Sequence, residues 1–138
     1  MEAQFFEWIC PTPEALIRQG EVFGKTLQSG DVVALEGDLG VGKTTFVKGI
    51  ARALGVTEPI TSPTFNIASI YSGTKVTLVH IDAYRLEVGM TIDILEYVMP
   101  PYVVVIEWPE HFQELKSTHR VTFSVDIEGV RHLAVTGI

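Results

Sequence analysis

The chain has 138 residues, 46 % of them hydrophobic and 20 % charged, which suits one compact domain spanning residues 1–138 and excludes disorder, fibrous repeats and most modular architectures. Ten basic residues against 17 acidic ones give 10 − 17 = −7, so the surface is not made to grip DNA or RNA by neutralising phosphates, and any basic site must be local. The one cysteine, Cys10, has no disulfide partner in the chain and no neighbours at zinc-ligand spacing.

The opening segment MEAQFFEWICP carries acids and no base before its apolar residues, unlike an export signal, so the cytoplasm is the expected setting. Within it, residues 4–9 (QFFEWI) are rich in aromatic and β-branched side chains and read as a strand. A helix follows, capped by Thr12, with Pro13 in its first position and Glu14 complementing the positive helix end; Leu16, Ile17, Val22, Phe23 and Leu27 keep helical spacing until Ser29-Gly30 stops it. Residues 32–35 (VVAL) form a short unbroken apolar run, as in a strand buried on both faces, and a second helix spans about 43–54. Residues 65–71 and 75–81 read as an antiparallel hairpin turning at Ser72-Gly73-Thr74, and 91–98 as a short helix. The longest apolar stretch, residues 102–106, is far short of the ~20 needed to span a bilayer, and its VVVI is a second doubly buried strand. Residues 121–126 and 131–136 end the chain as strands around Glu128-Gly129. Buried strands alternating with helices predict an α/β fold: a central, mostly parallel β-sheet with flanking helices and an antiparallel hairpin. Ligands of such sheets sit at the carboxyl ends of the strands.

The strongest signal lies at one of those ends. Residues 37–44 (GDLGVGKT) match G-x-x-x-x-G-K-[ST] at every position, directly after an apolar strand and at the start of a helix, which makes the expected fold P-loop NTPase-like. Glycines let successive amides turn towards phosphate oxygens while the helix presents its positive end to the same anion. Lys43 adds a full charge near the β- and γ-phosphates, and the Thr44 hydroxyl is a Mg²⁺ ligand in this pattern. A metal-side acid is then required from a neighbouring strand. Glu107 follows VVVI and is the first candidate; Asp82, after residues 79–81, is the second, ordering water or metal nearby. An acid at a strand end also serves as an ordinary turn cap. Residues 61–65 (TSPTF) occupy a position where such proteins keep a γ-phosphate sensor, or make a plain turn. Trp108 either stacks near the ligand or belongs to the core, His80 reads as a structural residue of an apolar strand, and Arg85 and Arg131 either meet phosphate or lie on the surface.

No Asn-Lys-x-Asp segment for guanine occurs, which favours ATP over GTP. Small-molecule kinases using a P-loop remain the alternative, weakened because their lids are rich in arginine whereas Arg85 stands among Glu87, Asp93 and Glu96.

Taken together, GDLGVGKTT (37–45), TSPTF (61–65), HIDAYRL (80–86) and VIEWPE (105–110) resemble, in order and spacing, the TsaE family, formerly YjeE, over residues 11–137. The resemblance implies an ATPase of tRNA threonylcarbamoyladenosine (t6A) biosynthesis, modifying adenosine 37 of tRNAs that read codons beginning with A. It implies work alongside TsaB and TsaD, with tRNA reached through that complex. No DNA and no membrane are expected as partners, and slow hydrolysis by the isolated chain is expected because no arginine is obviously positioned as a finger and a partner would complete the site. The resemblance further implies Gly40, Val41, Gly42, Lys43, Thr44 and Thr45 on the phosphates, Thr44 and Glu107 on Mg²⁺, Thr64 as the γ-phosphate sensor and Asp82 by the hydrolytic water or metal. Trp108, Thr12 and Arg131 are placed near the nucleotide on the same ground.

Overall fold

The computed structural model describes residues 4–38, 42–61, 68–83, 99–108 and 116–137. Gly40, Val41, Thr64, Arg85 and the short helix expected at 91–98 lie outside them.

Seven strands form one sheet: β1 (Gln4–Cys10), β2 (Val32–Glu36), β3 (Ala68–Ser72), β4 (Thr77–Asp82), β5 (Tyr102–Glu107), β6 (His119–Val125) and β7 (Arg131–Gly137), in the order β1-β7-β6-β2-β5-β4-β3. Four strands at the centre, β6, β2, β5 and β4, run parallel; β3 pairs antiparallel on one side, and β7 and β1 pair antiparallel on the other. The expected mostly parallel sheet is therefore corrected: three pairings are parallel and three antiparallel. The physical reason is that β7 turns back on β6 through a tight turn and β1 then pairs with β7, so both outer pairings on that flank are antiparallel. The hairpin of β3 and β4 forms as expected, with Ala68 opposite Ile81 and Ser72 opposite Thr77.

Helices α1 (Pro13–Gly24) and α2 (Lys43–Ala53) pack against each other and share one core with the sheet. Strand alternation explains which residues enter it. Val33 and Leu35 of β2, Val103 and Val105 of β5 and Leu78 of β4 face Phe46, Val47 and Ile50 of α2, while Val32, Ala34, Val79, Ile81, Val104 and Ile106 are buried on the opposite face. Phe23, Phe46 and Phe123 join α1, α2 and β6 through ring contacts of 5.8 and 5.4 Å between centroids. The two helices touch through small residues: a Cβ on Gly20 would stand 2.3 Å from Phe46 O, and one on Gly49 would stand 2.0 Å from Ile17 O.

Helix α1 begins as the sequence indicates, with Thr12 extended and its Oγ1 accepting from Ala15 N at 3.1 Å. It ends at Gly24, several residues before Ser29-Gly30, and this corrects the expected span. Leu27 still packs against the core from beyond the helix end, so apolar spacing outlasts the helix itself. Among the described residues no helix is long and apolar enough to cross a membrane.

Candidate functional site

Parallel pairing brings three strand ends into a row. Leu35 of β2 stands beside Glu107 of β5, and Glu107 stands beside Asp82 of β4. All three point to the α2 side, since Glu107 alternates with Val105 and Val103, and Asp82 with Leu78. The chain leaves β2 at Glu36, beside this row, and α2 begins at Lys43 directly after Gly42.

Gly42 is the N-cap of α2 at φ 99°, ψ 19°, and no side chain caps that helix end. A left-handed residue here favours glycine. The amides of the first helical turn therefore remain available to an anion, in keeping with the positive end of the helix.

Lys43 is 4 % exposed, low for a lysine. Its Nζ donates to Gly37 O at 2.7 Å and lies 3.9 Å from the centre of the Trp108 ring, a cation–π contact. Trp108 has φ 60°, rare for so bulky a residue, directly after Glu107. This local strain turns the indole back over the lysine instead of letting β5 continue. The Trp108 ring therefore sits beside Lys43 at the start of α2.

The next residue, Thr44, points its Oγ1 at Glu107 Oε2 across 3.5 Å. Glu107 is buried, and the same Oε2 lies 2.6 Å from His80 Nε2. His80, which the sequence presents as a structural residue, is thus part of the site. A clue existed in its period-two spacing from Asp82, which puts both on one face of β4, but its partner depends on the β4–β5 register.

The remaining expected residues gather at the same rim. Because β7 runs against the central strands and β1 runs against β7, the start of β7 and the end of β1 lie at the carboxyl end of the sheet, with Cys10 opposite Arg131. Arg131 Nε would be 3.7 Å from a Cβ placed on Gly42, and Leu16 of α1 comes closer still. Thr12 is one turn before Leu16; its hydroxyl is occupied in capping α1. Thr45 is half-buried in the first turn of α2, and Asp82 is half-buried beside Glu107. Lys43, Thr44, Glu107 and Trp108 are therefore in mutual reach, with Asp82, Arg131 and Gly42 around them.

Sheet and site together define a mixed α/β protein whose polar side chains collect around a glycine-rich strand–loop–helix turn at the carboxyl ends of parallel strands. The family described as "Threonylcarbamoyl adenosine biosynthesis protein TsaE" matches residues 10–133, and the chain belongs to the TsaE family. It is similar to two proteins called tRNA threonylcarbamoyladenosine biosynthesis protein TsaE. The one from Nostoc sp. is 39 % identical over 132 residues, covering 89 % of this chain and 80 % of that protein. The one from Treponema pallidum is 43 % identical over 123 residues, covering 86 % and 90 %. The crystal structure of Bacillus subtilis YdiB superposes with a TM-score of 0.84 at 28 % identity, covering 100 % of this chain and 88 % of that one.

Proposed function

We propose that this chain is an ATP-binding and ATP-hydrolysing subunit of tRNA t6A biosynthesis, with a P-loop NTPase fold, working in the cytoplasm with TsaB and TsaD on adenosine 37. Membership of the TsaE family supports the pathway, and the arrangement around Lys43 supports the chemistry. The single observation that carries the nucleotide reading is the meeting of Thr44 and Glu107 at the start of α2, next to Lys43.

The residues fit Mg²⁺ and a triphosphate. Mg²⁺ prefers oxygen ligands and commonly takes one or two from protein, leaving the rest to water and phosphate. A hydroxyl and a carboxylate 3.5 Å apart suit that demand, and among the described residues no group of three or more His, Cys, Asp or Glu offers a self-sufficient protein cage. The bare N-terminus of α2 and the buried Lys43 ammonium suit the phosphates. When bound, Mg²⁺ neutralises charge on the phosphate oxygens during transfer to water.

The chain's own groups divide the work. Lys43 exchanges its contact with Gly37 O for phosphate oxygens, and its charge opposes the negative charge of the leaving and transferred groups. Thr44 and Glu107 hold the metal side. Asp82, next to Glu107 on the adjacent strand, orients the attacking water by accepting its hydrogen bond. Trp108 screens Lys43 from solvent. Arg131 and Thr45 flank the phosphates, Gly40 and Val41 line them with backbone amides, Thr64 senses the γ-phosphate, and Thr12 stands near the nucleotide. Completion of the site by partner subunits accounts for slow turnover by the chain alone, and tRNA contact through those partners accommodates a chain of net charge −7.

The test is Lys43→Ala in the native host, with t6A measured in bulk tRNA. Loss of the modification is expected; unchanged t6A rejects the proposed role.

A further inference from the structure

His80 sits in β4 between Val79 and Ile81 and is fully buried. Its Nε2 is 2.6 Å from Glu107 Oε2, and its Nδ1 is buried without a hydrogen-bond partner among the described residues. A carboxylate only accepts, so Nε2 carries the hydrogen and donates it. As a packing residue this imidazole is a poor choice. Its layer is apolar, with Leu78 before it on the same face and Val105 beside it on β5, and an aliphatic side chain would fill the place without desolvating a nitrogen that gains no partner.

What an aliphatic residue lacks is a rigid donor to one oxygen of Glu107. Thr44 Oγ1 approaches that same oxygen, so both donors fall on Oε2 and Oε1 is left out of the pair. Glu107 is the last residue of β5, where the backbone turns sharply into the left-handed Trp108, and a long side chain at a strand end has rotamer freedom to lose. We infer that His80 is a positioning residue for Glu107: its Nε2–H fixes the rotation of the carboxylate on Oε2 and reserves Oε1 for the divalent cation. This rests on the Mg²⁺-nucleotide reading of the site. It assigns to His80 the part that outer hydrogen-bond partners play at metal sites, where their loss typically reduces metal affinity or activity by about 10–100-fold.

The experiment uses the full chain as wild type, His80→Gln and His80→Leu. ADP binding is measured by calorimetry in EDTA and over a Mg²⁺ titration, with a urea unfolding curve for each variant. Glutamine keeps an amide donor near the position of Nε2; leucine fills the space without one. His80→Leu is expected to raise the half-saturating Mg²⁺ about tenfold or more and His80→Gln about threefold or less, with ADP binding in EDTA the same in all three. Nitrogen-15 NMR of the wild type is expected to show the His80 hydrogen on Nε2. An unchanged Mg²⁺ requirement in His80→Leu, or an equal rise in both variants, overturns the positioning role, as does an Nδ1–H tautomer. Should His80→Leu fail to fold, the glutamine variant and the tautomer still decide: a tenfold rise with glutamine, or hydrogen on Nδ1, overturns the inference. Wild type together with Glu107→Gln separates the two levels. If wild-type ADP binding ignores Mg²⁺, the metal reading itself fails. If it responds and Glu107→Gln abolishes the response while His80→Leu leaves it intact, only the role of His80 fails.

Discussion

The helix crossing behind the site offers a sharp test of the packing. Gly49 of α2 lies against α1 so closely that a Cβ there would stand 2.0 Å from Ile17 O, 2.7 Å from Glu21 N and 2.9 Å from Gly20 C. All three are backbone atoms, so no side chain can rotate out of the way. Reaching an ordinary 3.4 Å contact with the oxygen needs 3.4 − 2.0 = 1.4 Å of local separation between the helices. Gly49→Ala gains about 1 kcal/mol of helix propensity. Against this stands overpacking, typically 1–3 kcal/mol and at the upper end when backbone must move. A net loss of about 2 kcal/mol follows, or a fall in Tm of roughly 6–10 °C for a domain of this size. Urea and thermal unfolding of the variant measure it. Because α1 also carries Leu16, which abuts Gly42, nucleotide affinity should weaken along with stability. A variant as stable as wild type, or one stabilised by the propensity gain, would refute the close approach of α1 and α2.

Other expectations follow from single contacts. Trp108 fluorescence, isolated by Trp8→Phe, should change when ADP or ATP is added with Mg²⁺, because the ligand competes for the Lys43 ammonium 3.9 Å above the ring; a silent Trp108 would contradict that placement. Asp126 accepts from His132 Nε2 and from the amides of Val130 and Glu128, and these bonds, the His132 side chain foremost, hold its carboxyl below the usual value. A depressed folded-state value means that its stabilisation is present above about pH 4 and is lost as pH falls through that lowered value. Wild type should therefore exceed Asp126→Asn in Tm at neutral pH, with the gap closing in acid, and a gap independent of pH would refute this. Burial pushes the Cys10 thiol up, so less thiolate forms at a given pH, and the side chain is fully enclosed. Iodoacetamide at pH 8.5 should label Cys10 only on unfolding, whereas labelling at the rate of a free thiol would show that the core does not enclose it.

What could be read from the sequence was what local pattern determines. The GDLGVGKT run placed Lys43 and Thr44 at a helix start, and the unbroken VVVI before Glu107 placed that acid at the end of a buried strand; the structure joins them across 3.5 Å. The parts that were not legible depend on pairing between distant segments. The tight turn around Glu128-Gly129 makes residues 131–137 run antiparallel to 119–125, but nothing local tells residues 4–10 to pair with 131–137, so the balance of parallel and antiparallel strands was missed. Leu27 misled the estimate of the α1 end because it packs on the core from outside the helix, keeping the apolar period after the hydrogen-bonded turns have stopped. His80 was hidden for a related reason: its meaning comes from Glu107, 27 residues away, through the β4–β5 register.

The antiparallel flank also explains how a chain with one small sheet surrounds the start of α2. In a sheet of parallel strands alone, every strand start lies at the far rim from its carboxyl ends. Reversing β7 brings a strand start, Arg131, to the functional rim, and reversing β1 against β7 brings a strand exit there too. From that exit the chain needs only Pro11 and Thr12 before α1 begins, which sets Leu16 against Gly42 on the same side as Arg131. The two flanks therefore differ in use. The β4–β5 side supplies Asp82, His80, Glu107 and Trp108 around Lys43 and Thr44, while the β1–β7 side supplies Arg131 and the start of α1 beside Gly42. Under the nucleotide reading, changes on the first side should alter Mg²⁺ dependence, and changes at Arg131 should alter nucleotide affinity with the Mg²⁺ requirement preserved. Arg131→Met, measured by ADP binding with and without Mg²⁺, separates the two: equal weakening in both conditions is expected, and a loss confined to the Mg²⁺-loaded state would show that the flanks do not divide the work in this way.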